Sequence, residues 1–198
     1  MTRADTPGTP GRARRADAAR NARLLLAAAK ELFDEHGPEV AMDEVARRAG
    51  IGNATLYRNF PTRSDLLIAV YADEVTELCQ QGAALLGEPS AAEALFTWLD
   101  SFVVHVAAKR ALALAGTESS DERRTELFAR WHESMRSTAE RLLTRAQAAG
   151  AVRTDLTVTD VLALASAAAL AGTSTRHAQQ LLQILRHGFA GAPASPRQ

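Results

Sequence analysis

An all-α chain is predicted by three features of the sequence. Composition is 46% apolar with only 5% aromatic residues, and the apolar share is dominated by alanine and leucine, both strong helix formers. Apolar residues recur every three or four positions through most of the chain, and no segment reads as a run of strands. Helix stop and start signals, among them Gly37-Pro38, Gly50-Ile51-Gly52, Pro89-Ser90 and Gly150, fall between the periodic stretches.

The elements follow in order. Residues 1–16 are rich in Arg, Pro and Gly and read as a flexible basic tail, with Arg12, Arg14 and Arg15 as its charged cluster. From Asp17, an N-cap candidate, Leu25, Ala28, Ala29, Leu32 and Phe33 mark a first helix that Gly37-Pro38 stops. A short second helix fits Met42 to Ala49, with Val45, Ala46 and Ala49 on one side and Arg47 and Arg48 on the other. After the glycine turn, Asn53 to Asn59 makes a third helix, capped by Asn53 or the turn before it, with Leu56 and Phe60 facing inward. Thr62 and Asp65 stand at capping-box spacing and open a fourth helix running to about Gln81. Ser90 and Glu93 repeat that spacing before a fifth helix striped by Leu95, Trp98, Leu99, Phe102 and Val106. Gly116 to Asp121 reads as a loop, followed by a long helix through Leu127, Trp131, Met135, Leu142 and Ala146 that Gly150 ends. Thr157 and Asp160 cap an alanine-rich helix to about Ala171, Ala178 to Phe189 stripe the last one, and residues 192–198 read as a disordered tail.

A chain of 198 residues accommodates one ordinary domain or two small ones. The longest apolar run, Val161 to Ala171, is about half of the ~20 residues a membrane span needs, so no membrane association is expected. Residues 1–16 lack the apolar stretch of a secretory signal, which makes the cytoplasm the expected compartment. The single cysteine, Cys79, has no partner for an internal disulfide and is expected to be a buried thiol. Net charge is zero, with 11 Lys/Arg against 9 Asp/Glu in residues 1–65 and the balance reversed beyond. That asymmetry permits nucleic-acid binding at the N-terminal end without requiring it.

Two short helices around a glycine turn form a helix-turn-helix pattern, whose second helix is suited to enter a major groove. Such corners also occur in proteins that never touch DNA. The residues carry more than the packing pattern: Val40 to Arg63, and within it the Ala49-Gly50-Ile51 turn and the Thr55-Leu56-Tyr57-Arg58-Asn59-Phe60 helix, resemble the DNA-binding signature of the TetR family of transcriptional regulators. The resemblance covers residues 20–70. It implies a three-helix DNA-binding domain over residues 17–62, its helix-turn-helix at about 41–60. A long fourth helix then joins it to a helical effector-binding and dimerisation domain over residues 63–191.

The resemblance also implies base-edge contacts from Gly52, Asn53, Ala54 and Thr55, with Arg58 one turn further. Side-chain chemistry agrees: Asn pairs bidentately with adenine, Arg with guanine, and the Ala54 and Thr55 methyls suit a thymine methyl. Tyr57, Asn59 and Arg63 take phosphate contacts in the same scheme. Two positions depart from the family pattern, since Asn59 stands where many members carry His and Ala41 where Thr or Ser often caps the second helix.

For the C-terminal part, Ala165, Ala168, Ala169 and Gly172 allow close helix approach while Leu181, Leu182, Leu185 and Phe189 supply apolar area. In the family such helices form a four-helix bundle between subunits; the alternative is burial of the same faces within one chain. Trp98, Phe102, His105, Trp131 and Met135 are candidates for lining an effector pocket, and ordinary core packing accommodates each of them as well. Enzyme motifs fail on inspection. His132-Glu133-Ser134-Met135-Arg136 puts arginine where a zinc protease needs its second histidine, and Gly50-Ile51-Gly52 follows a helix and lacks the third glycine of a dinucleotide loop. No cofactor or metal is expected. The expected function is a non-enzymatic homodimeric repressor that binds palindromic operator DNA and is released by a small-molecule effector. The competing reading is a helical ligand carrier or adaptor indifferent to DNA.

Overall fold

The computed structural model describes residues 10–37, 39–115 and 122–187. Among them the chain forms eight α-helices and no strand: α1 (Pro10–His36), α2 (Met42–Ala49), α3 (Asn53–Asn59), α4 (Arg63–Leu85), α5 (Ala91–Ala115), α6 (Glu122–Ala148), α7 (Val158–Ala171) and α8 (Thr175–His187). The expected loop at 116–121, Phe189 and the expected tail at 192–198 lie outside the described residues. The chain divides into two compact units, Met1–Asp73 and Glu74–Gln198.

In the first unit, α1, α2 and α3 enclose a core of Leu25, Ala29, Leu32, Val45, Ala46 and Leu56, all fully buried. Leu66 and Val70 of α4 belong to the same core, which is why the division falls inside α4 rather than before it at residue 63. One long and two short helices bury too little apolar surface on their own, and the head of α4 supplies the remainder. A second departure concerns α1, which begins at Pro10, not Asp17, so Arg12, Arg14 and Arg15 belong to a helix instead of a flexible tail. Proline is tolerated in a helix's first turn, and the alanine- and arginine-rich stretch that follows has high helix propensity, which outweighs the local capping signal of Asp17.

The second unit holds the end of α4 and α5 to α8, with α5 packed against α6, α7 and α8. Trp98 is completely buried, and its indole N–H donates to the Leu78 carbonyl on α4 at 2.9 Å. That approach depends on Gly82, where an added Cβ would stand 2.9 Å from Trp98 Nε1 and 3.0 Å from its Cδ1, and against the Thr138 methyl of α6. α4 runs through Gly82 to Leu85, past the end expected near Gln81, and glycine at 82 gives the Trp98 and Thr138 side chains room. By length and composition Ala91–Ala108 of α5 is apolar enough to cross a membrane, with mean hydropathy 1.2. Its apolar residues Ala94, Leu95, Trp98, Leu99, Phe102 and Val103 are instead core residues of this unit. Cys79, expected to be buried, is half-buried.

Caps follow the sequence closely. Thr62 and Asp65 form a reciprocal box, the Thr62 amide donating to Asp65 Oδ2 at 2.9 Å and the Asp65 amide to Thr62 Oγ1 at 3.1 Å. Thr157 and Asp160 do the same for α7 at 2.9 and 3.2 Å. At Ser90 only the Glu93 amide to Ser90 Oγ bond, at 3.3 Å, is made.

Candidate nucleic-acid interface

The exposed surface of α3 is set by what precedes it. Gly50 adopts φ 66°, a left-handed conformation that glycine takes without a Cβ penalty. Its N–H caps the Arg47 carbonyl at 3.2 Å and the Ile51 N–H caps Ala46 at 2.9 Å, which terminates α2 and redirects the chain. Gly52 then opens α3 with extended backbone and no side-chain cap, leaving the Asn53 side chain uncommitted to capping. Ala41 likewise opens α2 without a side-chain cap, as its methyl dictates.

Burial divides α3 into two faces. Leu56 is fully buried and Phe60 nearly so, which turns Gly52, Asn53, Ala54, Tyr57 and Arg58 toward solvent, with Thr55 and Asn59 half-buried at the edge. Tyr57 is 46% exposed, unusual for so large a ring in a seven-residue helix. Several polar groups on this face are occupied locally. The Arg58 guanidinium donates to the Ala54 carbonyl at 3.0 Å and to Thr55 Oγ1 at 3.3 Å. The Asn59 amide donates to the Thr55 carbonyl at 2.8 Å, and the Tyr57 hydroxyl to Asp43 Oδ1 at 3.5 Å. Arg63, at the head of α4, donates to the Val40 carbonyl and lies 3.8 Å from Glu39, so it also braces the turn that leads into α2. That bracing role carries no signal at the level of sequence.

Arg48 ties α2 to α1 through Glu35 at 2.9 Å and Glu31 at 3.4 Å. Hydrogen bonding to Arg48 holds the Glu35 carboxyl below its ordinary range and pushes the guanidinium up in return.

The five candidate effector residues all fall in the second unit. Trp98, Phe102, His105 and Met135 are buried, and Trp131 is half-buried. Trp98 and Phe102 stack with centroids 5.5 Å apart, while Trp131 meets Phe128 edge to face at 5.2 Å. His105 Nδ1 lies 3.3 Å from Glu74 Oε2, both side chains largely shielded from solvent. An open groove of about 490 Å³ runs elsewhere, along the Ser137, Arg141, Thr144 and Arg145 face of α6, and none of the five lines it. In the failed zinc-protease pattern, Arg136 pairs with Glu133 at 2.7 Å and Glu140 at 3.3 Å. Among the described residues no three His, Cys, Asp or Glu side chains stand where they could share a metal ion.

The residues expected at a dimer face divide by burial. Ala165, Ala168, Ala169 and Leu182 are buried within the chain, and Gly172 lies against Ala178, where an added Cβ would meet the Ala178 backbone nitrogen at 2.8 Å. Those small residues serve α7–α8 and α5 packing within the chain. Of the predicted residues Leu185 is exposed and Leu181 half-buried. The large apolar residues exposed on α7 and α8 are Leu164, Leu170, Ile184 and Leu185, between 38% and 52% exposed.

Comparison with known proteins agrees with this geometry. Residues 25–70 match the family described as bacterial regulatory proteins, tetR family, and residues 90–190 match the C-terminal domain described as transcriptional regulator SbtR-like. A TetR transcriptional regulator of Streptomyces coelicolor is 33% identical with a TM-score of 0.69, over 84% of this chain and 97% of that one. A TetR regulatory protein of Mycobacterium vanbaalenii is 32% identical with a TM-score of 0.69, over 88% and 97%. An HTH-type transcriptional regulator of Staphylococcus aureus is 38% identical over 68 residues, and the chain spans only 37% of that relative's length. The matched residues include all of α2 and α3, and the chain belongs to the TetR family of DNA-binding helix-turn-helix transcriptional regulators.

Proposed function

We propose that the chain is a homodimeric, cytoplasmic repressor that reads a two-fold-symmetric operator with paired α3 helices and leaves it when a small molecule binds among the helices of the second unit. The observation that carries this reading is the outward face of α3, where Asn53, Ala54, Tyr57 and Arg58 stand exposed directly after the left-handed turn at Gly50. Asn53 pairs with adenine and Arg58 with guanine, while Gly52 lets the backbone approach and the Ala54 and Thr55 methyls meet thymine. Arg58 exchanges its bonds to Ala54 and Thr55 for the base, a modest cost at an exposed site. Tyr57, Arg63 and the second N–H of the Asn59 amide hold phosphates and fix register.

A dimer is supported by the outward stripe of Leu164, Leu170, Ile184 and Leu185 on α7 and α8, apolar area that a second copy buries. For the effector, Trp98, Phe102, Trp131 and Met135 provide apolar walls and His105 with Glu74 a polar anchor, in the pattern of a small-molecule site.

The test is selection of duplexes from a random pool by the purified protein, followed by anisotropy titrations on the selected and an unrelated duplex. Arg58→Ala and Asn53→Ala are each expected to lose about 1–3 kcal/mol on the selected duplex and little on the other. Arg63→Ala is expected to weaken both alike. Equal losses on both duplexes for Arg58→Ala would falsify base reading by α3.

A further inference from the structure

Around α3 the positive side chains are held by negative ones. Arg47 pairs with Glu44 at 2.8 Å, Arg48 with Glu35 and Glu31, and Arg63 lies 3.8 Å from Glu39. The Tyr57 hydroxyl donates to Asp43. Arg58 differs, its guanidinium bonded to its own helix and to no carboxylate among the described residues. Tyr57 and Arg63, assigned above to phosphates, and Arg47 on the neighbouring α2 thus stand beside acids, whereas Arg58, suited to a base edge, does not. Asp43 is exposed and within hydrogen-bond distance of Tyr57 on the recognition face. A phosphate that accepts from Tyr57 must then lie within several ångströms of the Asp43 carboxylate, and one that accepts from Arg47 must displace Glu44.

We propose that Asp43 and Glu44 are affinity-setting residues that suppress the sequence-independent part of DNA binding, so that the protein is held on a duplex chiefly by its base contacts. The inference rests on α3 being the DNA-facing helix. Sequence-independent attachment comes from cations neutralising phosphates and releasing counterions. Where a cation already carries a carboxylate, binding exchanges one anion for another and the net gain is small. A unit charge about 6 Å from a phosphate across water shifts an equilibrium by about threefold. Two such carboxylates thus lower affinity for any duplex by about tenfold. The base-edge bonds of Asn53 and Arg58 are untouched by this, which separates the two groups of residues experimentally.

The experiment measures anisotropy of fluorescein-labelled duplexes, one selected by the wild-type protein and one of unrelated sequence, over a series of salt concentrations with full-length protein. Asp43→Asn combined with Glu44→Gln is expected to tighten binding to both duplexes by about tenfold, leave their ratio unchanged, and steepen the log–log salt dependence by about one. Asp43→Glu keeps the charge and is expected to behave as wild type, and thermal melts of each variant separate a folding defect from a charge effect. Unchanged or weaker binding by the folded double variant overturns the proposal, because the carboxylates would then be aiming Arg47 and Tyr57 at phosphates. A wild-type protein that selects no duplex defeats the DNA reading itself. One that selects a duplex and responds to Arg58→Ala, yet not to the double variant, defeats this inference alone.

Discussion

Replacing Gly82 with alanine sets two opposing effects against each other. In an ordinary exposed helix the change is favourable by about 1 kcal/mol, since glycine is the weaker helix former. Here the new methyl enters the place where α4, α5 and α6 meet, 2.9 Å from Trp98 Nε1, 3.0 Å from Trp98 Cδ1 and against the Thr138 methyl. Contacts this short force the indole or the helices to move, and overpacking of this kind costs about 1–3 kcal/mol. If the indole moves, its bond to the Leu78 carbonyl is lost as well, about 1 kcal/mol more. The net expectation is destabilisation by about 1–3 kcal/mol, a fall in Tm of about 2–12 °C for a chain of this size. Differential scanning calorimetry measures it. The Gly82→Ala, Thr138→Ser pair should recover part of the loss, because serine removes the methyl and retains the hydroxyl bonded to Ser134 at 2.9 Å. A Gly82→Ala protein as stable as wild type, or more so, would refute the reasoning and leave Gly82 an ordinary helix interruption.

Other expectations follow from the caps, the α5–α8 contact and the outer apolar stripe. Thr157→Ala removes the cap of α7 and should cost about 1 kcal/mol. The Thr157 hydroxyl and amide hold the Asp160 carboxyl below its usual range, so its stabilisation is complete above the unfolded-state pKa and disappears as pH falls through the lower folded value. Melts in acid should accordingly narrow the gap between wild type and Thr157→Ala without closing it, because the Asp160 amide still donates to the Thr157 hydroxyl when the carboxyl is protonated. Asp100 is the reverse case: burial raises its pKa against the opposing charge of Arg186, and its Oδ1 is shielded from solvent with no hydrogen-bond partner among the described residues. A carboxyl raised in the folded state weakens folding as pH rises past its unfolded value. Asp100→Asn should therefore raise Tm at pH 7 and lose that advantage in acid, and a lower Tm at pH 7 would contradict it. Ile184→Glu places a charge in the exposed stripe and should shift sedimentation from dimer toward monomer without lowering monomer helicity; an unchanged dimer would move the interface elsewhere.

Local signals were read well and tertiary ones were not. The bounds of α2 and α3 follow from Gly50 and Gly52, whose conformational demands act within one turn, and the Thr62 and Thr157 boxes follow from three-residue spacing. Asp17 does not start the helix because a capping residue competes with the propensity of its neighbours, and the arginine- and alanine-containing stretch before it prevails. The end of α4 lies past the expected Gln81 at Leu85, and the reason a glycine stands at 82 is found on α5 and α6, which no local pattern contains. On α7 the period of 3.6 identifies two apolar faces, one through Ala165, Ala168 and Ala169 and one through Leu164 and Leu170. A helix apolar all round does not declare which face is inward; the small residues went inside because they let α7 approach its neighbours closely. On α3, the apolar spacing of Leu56 and Phe60 marks the inward side, which the structure bears out, whereas Asn53, Tyr57 and Arg58 are singled out by the family resemblance. Their partners, Asp43 for Tyr57 and Val40 for Arg63, depend on rotamers and turn geometry that sequence does not encode locally.

Hydroxyl-radical footprinting of the protein on its selected duplex asks whether α3 enters duplex DNA twice. Two protected patches, centred roughly 34–36 Å apart along one face of the helix and both lost with Arg58→Ala at equal protein concentration, are the predicted result. A single patch, even protection along the duplex, or a footprint indifferent to Arg58 and Asn53 would contradict it.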